Sequence, residues 1–546
     1  MRMRVVGLVG LVASGAIVFG AEGVAHATNI TEFPDNGSEQ MARGGAWVAR
    51  ASDPLAAYFN PAGLAGQDTR VLFNANINIQ KTCFTRVKSA SDTTQEPLAD
   101  PTTGRFPKVC NETAPFFNPQ LAFTYRATER VGVGIAVLGP SGVGDGKWPA
   151  FVNNAAGEPQ AAPQRYLIVN DAKLLFFTPT IGVGVEVIDN LRLGASLQWG
   201  IMKGKFATSS AGLNDNNQSP RANDVQATLI VADYFVPGFT LGALYTPVPQ
   251  LDVAGWFKWS DSIKASGDVY TQANYYTPKV ASGDGSGIKD GDTSLDDCGF
   301  GPSAAGTCKN GGNAKLKLNV PMEAKIGVRF HQPRKGVEPK KHSRNPMAED
   351  VFDAEIDLTW ANNSANKALE LRFPGDANGN GVIPVNGTGG SIPPIGDIPR
   401  GYKDVFGVRI GGDVNVLPDQ LAIRTGAFWE SKGQDTTYQN IDFAGASKLG
   451  IALGATYRVR LDKEKTRALE FSLGFMHVFY ATQKNDDPNN DGVHGLAGTP
   501  CNPTTNAQPG TTCSDGRQKY RNNWPVNLGE ITNALNVLNV GASYRF

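Results

Sequence analysis

The sequence predicts an all-β fold: a transmembrane antiparallel β-barrel of 14 strands, with an N-terminal plug inside its lumen. Three observations predict it: long segments that alternate apolar and polar residues, connections that alternate between long and short, and an alternating final strand that ends in Phe546. Composition sets the bounds. Lys and Arg number 51 and Asp and Glu 51, so the formal net charge is zero. That excludes the basic excess with which nucleic-acid binders hold phosphates. Gly (63) and Pro (34) make a turn-rich chain, still below the composition of disordered low-complexity sequence. No apolar run beyond the N-terminus is long enough for a membrane helix. A barrel strand hides its apolarity by alternation and passes that filter.

The N-terminus comes first in chain order. Arg2 and Arg4 precede an apolar stretch from Val5 to Ala21, and Ala25-His26-Ala27 follows. A basic start, an apolar run and an A-x-A site in that order read as a secretory signal peptide spanning 1–27. Residues 28–68 form the next unit. They contain Gly37-Ser-Glu-Gln-Met-Ala-Arg-Gly-Gly-Ala46, Ala51-Ser-Asp-Pro54 and Tyr58-Phe-Asn-Pro-Ala-Gly-Leu64. This stretch lacks a period of two, and its Ala, Gly and Asn-Pro content suits a compact plug of short helices and turns.

Residues 69–546 carry the strands. In 191–202, Leu191, Leu193, Ala195, Leu197, Trp199 and Ile201 share one face. In 351–360, Phe352, Ala354, Ile356, Leu358 and Trp360 oppose Asp353, Glu355, Asp357 and Thr359. In 316–330, Leu316, Leu318, Val320, Met322, Ile326, Val328 and Phe330 are expected on one face, against the polar face of Lys315, Lys317, Glu323, Lys325 and Arg329. A soluble sandwich alternates too. These segments, however, run 10 to 15 residues. Strands of globular sheets usually have about 5–6, and a tilted strand crosses a bilayer in about 9–11.

Strands are expected near 70–79, 119–126, 131–139, 171–187, 191–204, 225–245, 251–264, 314–330, 351–362, 404–417, 421–431, 447–460, 467–480 and 535–546, an even count of fourteen. Long gaps alternate with short ones, apart from 331–350. Outer-membrane barrels pair long extracellular loops with short periplasmic turns, which puts both termini on the periplasmic side. The six cysteines form three local pairs, Cys83 with Cys110, Cys298 with Cys308 and Cys501 with Cys513, all in long loops. An exported chain with an even count points to disulfides; a zinc site lacks the C-x-x-C spacing. Trp256, Trp259, Trp360, Trp429, Tyr457, Phe479, Tyr480 and Tyr544 lie near strand ends, where interfacial girdles need aromatic rings.

The N-terminal unit resembles the hatch of the FadL family of outer-membrane transporters. The resemblance rests on Arg43-Gly44-Gly45-Ala46, on Asp53 about nine residues later, and on Asn60-Pro61-Ala62. It extends, more diffusely, to Pro321–Phe330, Leu421–Trp429 and the closing Tyr544-Arg545-Phe546. It implies a fourteen-stranded barrel for passive, hatch-gated uptake of hydrophobic molecules, long-chain fatty acids first among them, with lateral release into the outer leaflet. Its partners would be a hydrophobic small molecule, the bilayer with its lipopolysaccharide, and the barrel-assembly machinery during biogenesis. It implies no cofactor. The long cysteine-bearing loops depart from the best-known members. In this family the third strand kinks, and here Val131–Gly139 is followed by Pro140, Gly142 and Gly144, which cannot sustain a regular ladder.

Other residues are weighed against this. Arg192, Lys325, Arg409, Arg424 and Arg458 face Asp353, Glu355, Asp357 and Asp413 across the expected lumen, as structural ion pairs; one or two could hold a ligand carboxylate. Asp376–Gly381 and Asp487–Gly492 open like calcium loops, but Gly387 and Gly498 stand where the twelfth-position Glu belongs. They are read as Asx turns and no metal is expected. No G-x-S-x-G or H-E-x-x-H occurs, so no enzyme is expected. His477 shares the apolar face of Phe475 and Phe479 and should point outward. The basic 331–350 turn, with Arg334, Lys335, Lys340, Lys341 and Arg344, is expected to be solvated. The rival reading is a surface receptor or adhesin acting through disulfide-bonded loops, which would need no hatch.

Overall fold

The computed structural model describes residues 34, 36–92, 96–139, 145–167, 169–210, 224–273, 311–336, 344–373, 383–384, 391–392, 396–442, 445–463, 466–494 and 524–546. The expected signal peptide, Pro140, Gly142, Cys298, Cys308, Cys501, Cys513 and the Asp376 loop lie outside them.

Fourteen barrel strands run in chain order. The first four are β1 (Arg70–Arg86), β2 (Phe116–Arg126), β3 (Val131–Leu138) and β4 (Val169–Phe177, resumed at Thr180–Ile188). Next come β5 (Leu191–Ser210), β6 (Val225–Val248), β7 (Leu251–Ser260, resumed at Ile263–Ala273) and β8 (Gly311–Leu318, resumed at Glu323–Pro333). Then follow β9 (Asp350–Ala361), β10 (Val405–Leu417), β11 (Leu421–Glu430), β12 (Lys448–Arg460), β13 (Ala468–Tyr480) and β14 (Gly529–Arg545). Each pairs antiparallel with the next. β1 closes the ring on β14 in continuous register from Arg70↔Arg545 to Arg86↔Gly529. Closure matters because an open edge would leave backbone groups unpaired in lipid. The expected strand count holds, although several strands reach further than expected at the rim away from the termini.

Near the terminal rim the alternation follows the expected phase. Leu193, Leu197, Ile326, Val328, Ile356, Leu358, Ile410, Ile451 and Leu473 are exposed on the outer wall. Asp353, Glu355, Asp357, Arg409, Asp413 and Arg424 are buried inside it. A continuous exposed apolar wall of this kind is stable only against hydrocarbon. His477 lies on the outer face and bonds Asn536 through Nδ1 at 2.7 Å.

Further from the termini the pattern inverts. Leu229, Val231, Ile263, Ala265, Val269, Leu316 and Leu318 are buried in one apolar cluster with Leu174, Phe176 and Met202, while Lys315 and Lys317 face out. The inversion needs a change of parity, and three neighbours make it: β6 between Val231 and Val236, β7 at the 261–262 break, β8 at the 319–322 break. This corrects the expectation of a single apolar face over 316–330. Leu316, Leu318 and Val320 point in, whereas Ile326, Val328 and Phe330 point out. Pro321 cannot donate to a ladder, so the strand breaks there and restarts with the opposite face inward. The barrel thus has a lipid-facing zone with a polar interior, and beyond it a water-facing zone with an apolar interior. Trp256 is a second correction. It is buried in the lumen against Val48, Ala49 and Ala62, not in an outer girdle.

Candidate functional site

The N-terminal segment enters this ring. Ser38–Ala42 is a short helix, α1; Pro54–Ala57 and Pro61–Leu64 are single 3₁₀ turns. Each turn begins as its sequence dictates. Pro fills the first position, where no N–H is needed. The residue before it caps the turn: Asp53 accepts from Leu55 N at 2.8 Å, and Asn60 accepts from Ala62 N at 3.3 Å. Asn60 also donates to Val48 O at 2.8 Å. Gln67 Nε2 lies within 3.0 Å of the carbonyls of Ala51, Asp53 and Gly63, tying both turns together. Gly44 and Gly45 both have positive φ, 61° and 84°, the left-handed region that glycine enters without steric cost.

The wall makes room for this segment. A Cβ on Gly194 would lie 2.2 Å from the Pro61 carbonyl carbon, and one on Gly411 or Gly426 would lie 2.1 Å from Arg43 backbone atoms. Similar approaches occur at Gly132 and Gly184 to residues 61–65, at Gly242 to Asn60, and at Gly541 to Ser38. Contacts reach β3, β4, β5, β6, β10, β11 and β14, so the segment lies across the lumen. Trp47, Tyr58 and Phe59 pack edge to face at its centre, and Lys258 Nζ stands 4.0 Å over the Tyr58 ring.

Charge then latches it to one wall. Arg43 Nη1 lies 2.6 Å from both Asp353 and Asp413, and its Nη2 lies 3.0 Å from Glu355. Arg50 pairs with Asp353, with Asp413 at 2.9 Å and with Glu39 at 3.0 Å. The backbone amides of Trp47 and Val48 donate to Asp357 at 3.0 and 3.2 Å, and that of Ala49 donates to Glu355 at 2.7 Å. Alternation on β9 explains the geometry. Asp353, Glu355 and Asp357 stack at every second residue on the lumen face, a ladder of acceptors for residues 43–50.

The seven residues Arg43, Gly44, Gly45, Asp53, Asn60, Pro61 and Ala62 all lie in this lumen segment, and β9 and β10 supply the acidic partners. Sequence reasoning did not single out Arg50. A charged residue within an Ala- and Gly-rich stretch was the available signal. It named Arg344 only as part of a solvated basic turn. This residue is buried, not solvated as expected: its backbone N donates to Gly66 O at 3.0 Å, and its Nη2 donates to Ala49 O at 2.8 Å. The segment before β9, including the helix α2 (Pro346–Glu349), thus closes over residues 49–66 at the terminal rim.

The wall itself changes at β3. Its ladder to β2 ends at Gln120↔Leu138, and its ladder to β4 ends at Ala136↔Thr180. β2 continues to Phe116 and β4 to Val169. Among the described residues, Phe116–Pro119 and Leu174–Phe177 have no ladder partner on the sides facing each other. Gly139 sits in this interval. A Cβ there would be 3.0 Å from Phe176 O and 3.3 Å from Asn118 Oδ1.

At the far rim a second buried charge cluster joins the loops. Arg165 Nε pairs with Asp224 at 2.7 Å and its Nη2 with Glu96 at 2.9 Å. Arg86 reaches Glu96 at 3.2 Å. Burial pushes the Asp224 carboxyl up to about 6 despite the Arg165 guanidinium beside it. Burial acts the same way on Glu96, but Arg165 and Arg86 outweigh it and hold that carboxyl below its usual range. Cys83 and Cys110, facing residues of β1 and its neighbouring loop, are disulfide-bonded.

Solved structures share this architecture. A Pseudomonas aeruginosa FadL homologue superposes with a TM-score of 0.58 at 18% identity, over 96% of this chain and 100% of that one. The toluene transporter TodX of Pseudomonas putida gives 0.52 at 11%, over 94% and 99%. The Ralstonia pickettii toluene transporter TbuX gives 0.50 at 13%, over 95% and 99%. The chain has the FadL-type channel fold. No protein-family model matches the sequence, and no curated protein does. At these identities the FadL-type likeness is one of fold, and it spans nearly the whole of both chains.

Proposed function

We propose that this protein is an outer-membrane channel for the passive uptake of hydrophobic molecules, with residues 28–68 as its hatch and the interval at β3 as its lateral exit. The observation that carries this reading is the shortened β3. Among the described residues its ladders stop at Leu138 and Ala136 while β2 and β4 run on, where the lipid-facing wall gives way to the zone lined by Leu174 and Phe176, and wall backbone left without a partner is costly unless the interval serves a purpose. The filled lumen supports it as well: a segment lying across the lumen obstructs a straight aqueous path, and the β3 interval among the described residues offers a route sideways. The far-rim loops would then face outward and the termini the periplasm. Ligand would enter past the loop layer and leave sideways, down its gradient and without an energy source.

Long-chain fatty acids are the first substrate class to test and monoaromatic hydrocarbons the second, since TodX and TbuX are toluene transporters. The experiment is uptake of radiolabelled oleate and of toluene by cells that lack their own transporter. Each is compared between the wild-type chain and one with Arg43→Ala and Arg50→Ala. Uptake of either compound that depends on the chain and changes with the latch supports the reading. No chain-dependent uptake of either, with folded barrel present, overturns it.

A further inference from the structure

A cavity of about 300 Å³ opens at the terminal rim, away from the β3 interval. It lies between the β5 and β6–β8 ends and the α2 segment. Pro247, Val248 and Pro249 give it an apolar side, and Arg192, Arg329 and Arg344 give it a cationic one, with the His331 ring beside them. Its volume is at the lower end of that of small-molecule sites.

Its carboxylates are already engaged. Asp252 accepts from Thr246 at 2.6 Å, Arg329 at 2.9 Å and Arg344 at 3.2 Å. Asp350 accepts from Arg329 at 2.5 Å and faces His331 Nδ1 at 2.8 Å. Glu349 accepts from the Asn345 amide at 3.3 Å.

The donors are not exhausted. Arg344 Nη1 and Arg329 Nε are buried without a hydrogen-bond partner. The Arg344 side chain is only 7% exposed. Arg192 reaches Glu186 only at 3.7 Å, beyond hydrogen-bond distance. Buried donors without acceptors are costly, and a cavity that gathers them beside apolar wall suits an incoming oxyanion.

We propose that this cavity is an oxyanion site: it takes a carboxylate or phosphate group, free or at the head of a short amphiphile, with Arg192 and Arg344 as its donors. The site does not depend on the uptake reading, since it needs neither the hatch nor the lateral exit to operate.

The test is titration calorimetry on the full-length protein in detergent, with octanoate, inorganic phosphate and octanol as probes. The variants are Arg192→Gln and Arg344→Gln. Among the described residues Arg192 makes one ion pair, to Glu186 at 3.7 Å, so Arg192→Gln keeps the test open if Arg344→Gln fails to fold. Octanoate is expected to bind and octanol not, with Arg192→Gln weakening octanoate at least tenfold. Phosphate binding with the same sensitivity would assign the site to free oxyanions; octanoate alone would assign it to amphiphiles. Absence of octanoate and phosphate binding, or binding that Arg192→Gln leaves unchanged, overturns the proposal. Uptake by cells can fail without altering this result, so the two readings fall separately.

Discussion

Arg43 and Asp353 are 310 residues apart in the chain and 2.6 Å apart in space. Both side chains are fully buried, and Asp413 lies at the same distance from the same nitrogen. Removing one partner of such a network strands uncompensated charge, at a cost of about 3–5 kcal/mol. Arg43→Ala is expected to loosen residues 36–67 without opening the barrel, whose ladders do not involve Arg43. Planar-bilayer recordings should then show larger and noisier ion currents than wild type, and protease should reach the segment sooner. Asp353→Asn combined with Arg43→Ala should cost less than the sum of the two alone.

Steric fit and charge can be separated. Gly426 faces the Arg43 carbonyl with no room for a side chain. Gly426→Val keeps every charged residue and adds β-propensity to β11. It is expected to fold as a barrel yet expel the segment around Arg43, giving the same current phenotype as Arg43→Ala. A Gly426→Val protein with wild-type currents would mean that the segment moves aside at little cost.

How far the sequence reveals this architecture can be judged from β8 and β9. On β9 the alternation of Asp353, Glu355 and Asp357 with Ile356 and Leu358 is unbroken, and its lumen face was legible because lipid and lumen demand opposite polarity. On β8 the same parity runs from Leu316 to Phe330, yet the chain reverses its face at 319–322. A period of two marks a shared face only within an unbroken strand, and it does not say which side that face takes. Lipid outside becomes water outside along one strand, and the sequence carries only Pro321 as a sign. The hatch motif was legible in composition. Its latch was not, because the wall partners of Arg43 and Arg50, Asp353, Glu355 and Asp413, come from strands three hundred or more residues away.

Cys83 and Cys110 stand opposite each other where β1 leaves the lipid-facing zone. Their bond closes a span of 27 residues, for which chain entropy gives about 3–4 kcal/mol. β1 keeps its full register with β14 regardless. Cys83→Ser with Cys110→Ser is therefore expected to leave the barrel closed, as judged by its heat-dependent gel mobility. Residues 87–109 should be cleaved several-fold faster by protease. An unchanged cleavage rate would mean that the Arg86–Glu96–Arg165 cluster alone holds that loop.

That cluster gives the loop layer a pH dependence. The Asp224 carboxyl rises from an ordinary value near 3.8 to about 6. Between those values the folded chain binds more protons at this site than the unfolded chain. Stability therefore falls as pH rises through that window, by at most about 3 kcal/mol. Glu96 works in the opposite direction, and its contribution is lost only as pH drops below the usual carboxylate range. Hydrogen exchange in 162–167 should quicken from pH 4.5 to 6.5 after correction for intrinsic rates. Asp224→Asn should flatten that trend; a slope that survives the substitution would move the dependence to another group.

The interval beside β3 gives the most direct access to the exit path. Gly139 occupies it with no side chain, bounded by Phe176 O and Asn118 Oδ1. Its φ is not among the positive ones, so a larger residue meets only steric resistance there and no backbone strain. Gly139→Leu would fill the interval with an isobutyl group while leaving the latch at Arg43 untouched. If solutes leave sideways, uptake of the transported compound should fall at least fivefold, with barrel folding and bilayer currents unchanged. If they leave through the lumen, Gly139→Leu should transport normally and Gly426→Val should raise uptake. The two glycines lie on different walls, one at the gap and one beneath the segment, so the pair of variants assigns the route whichever way each result falls.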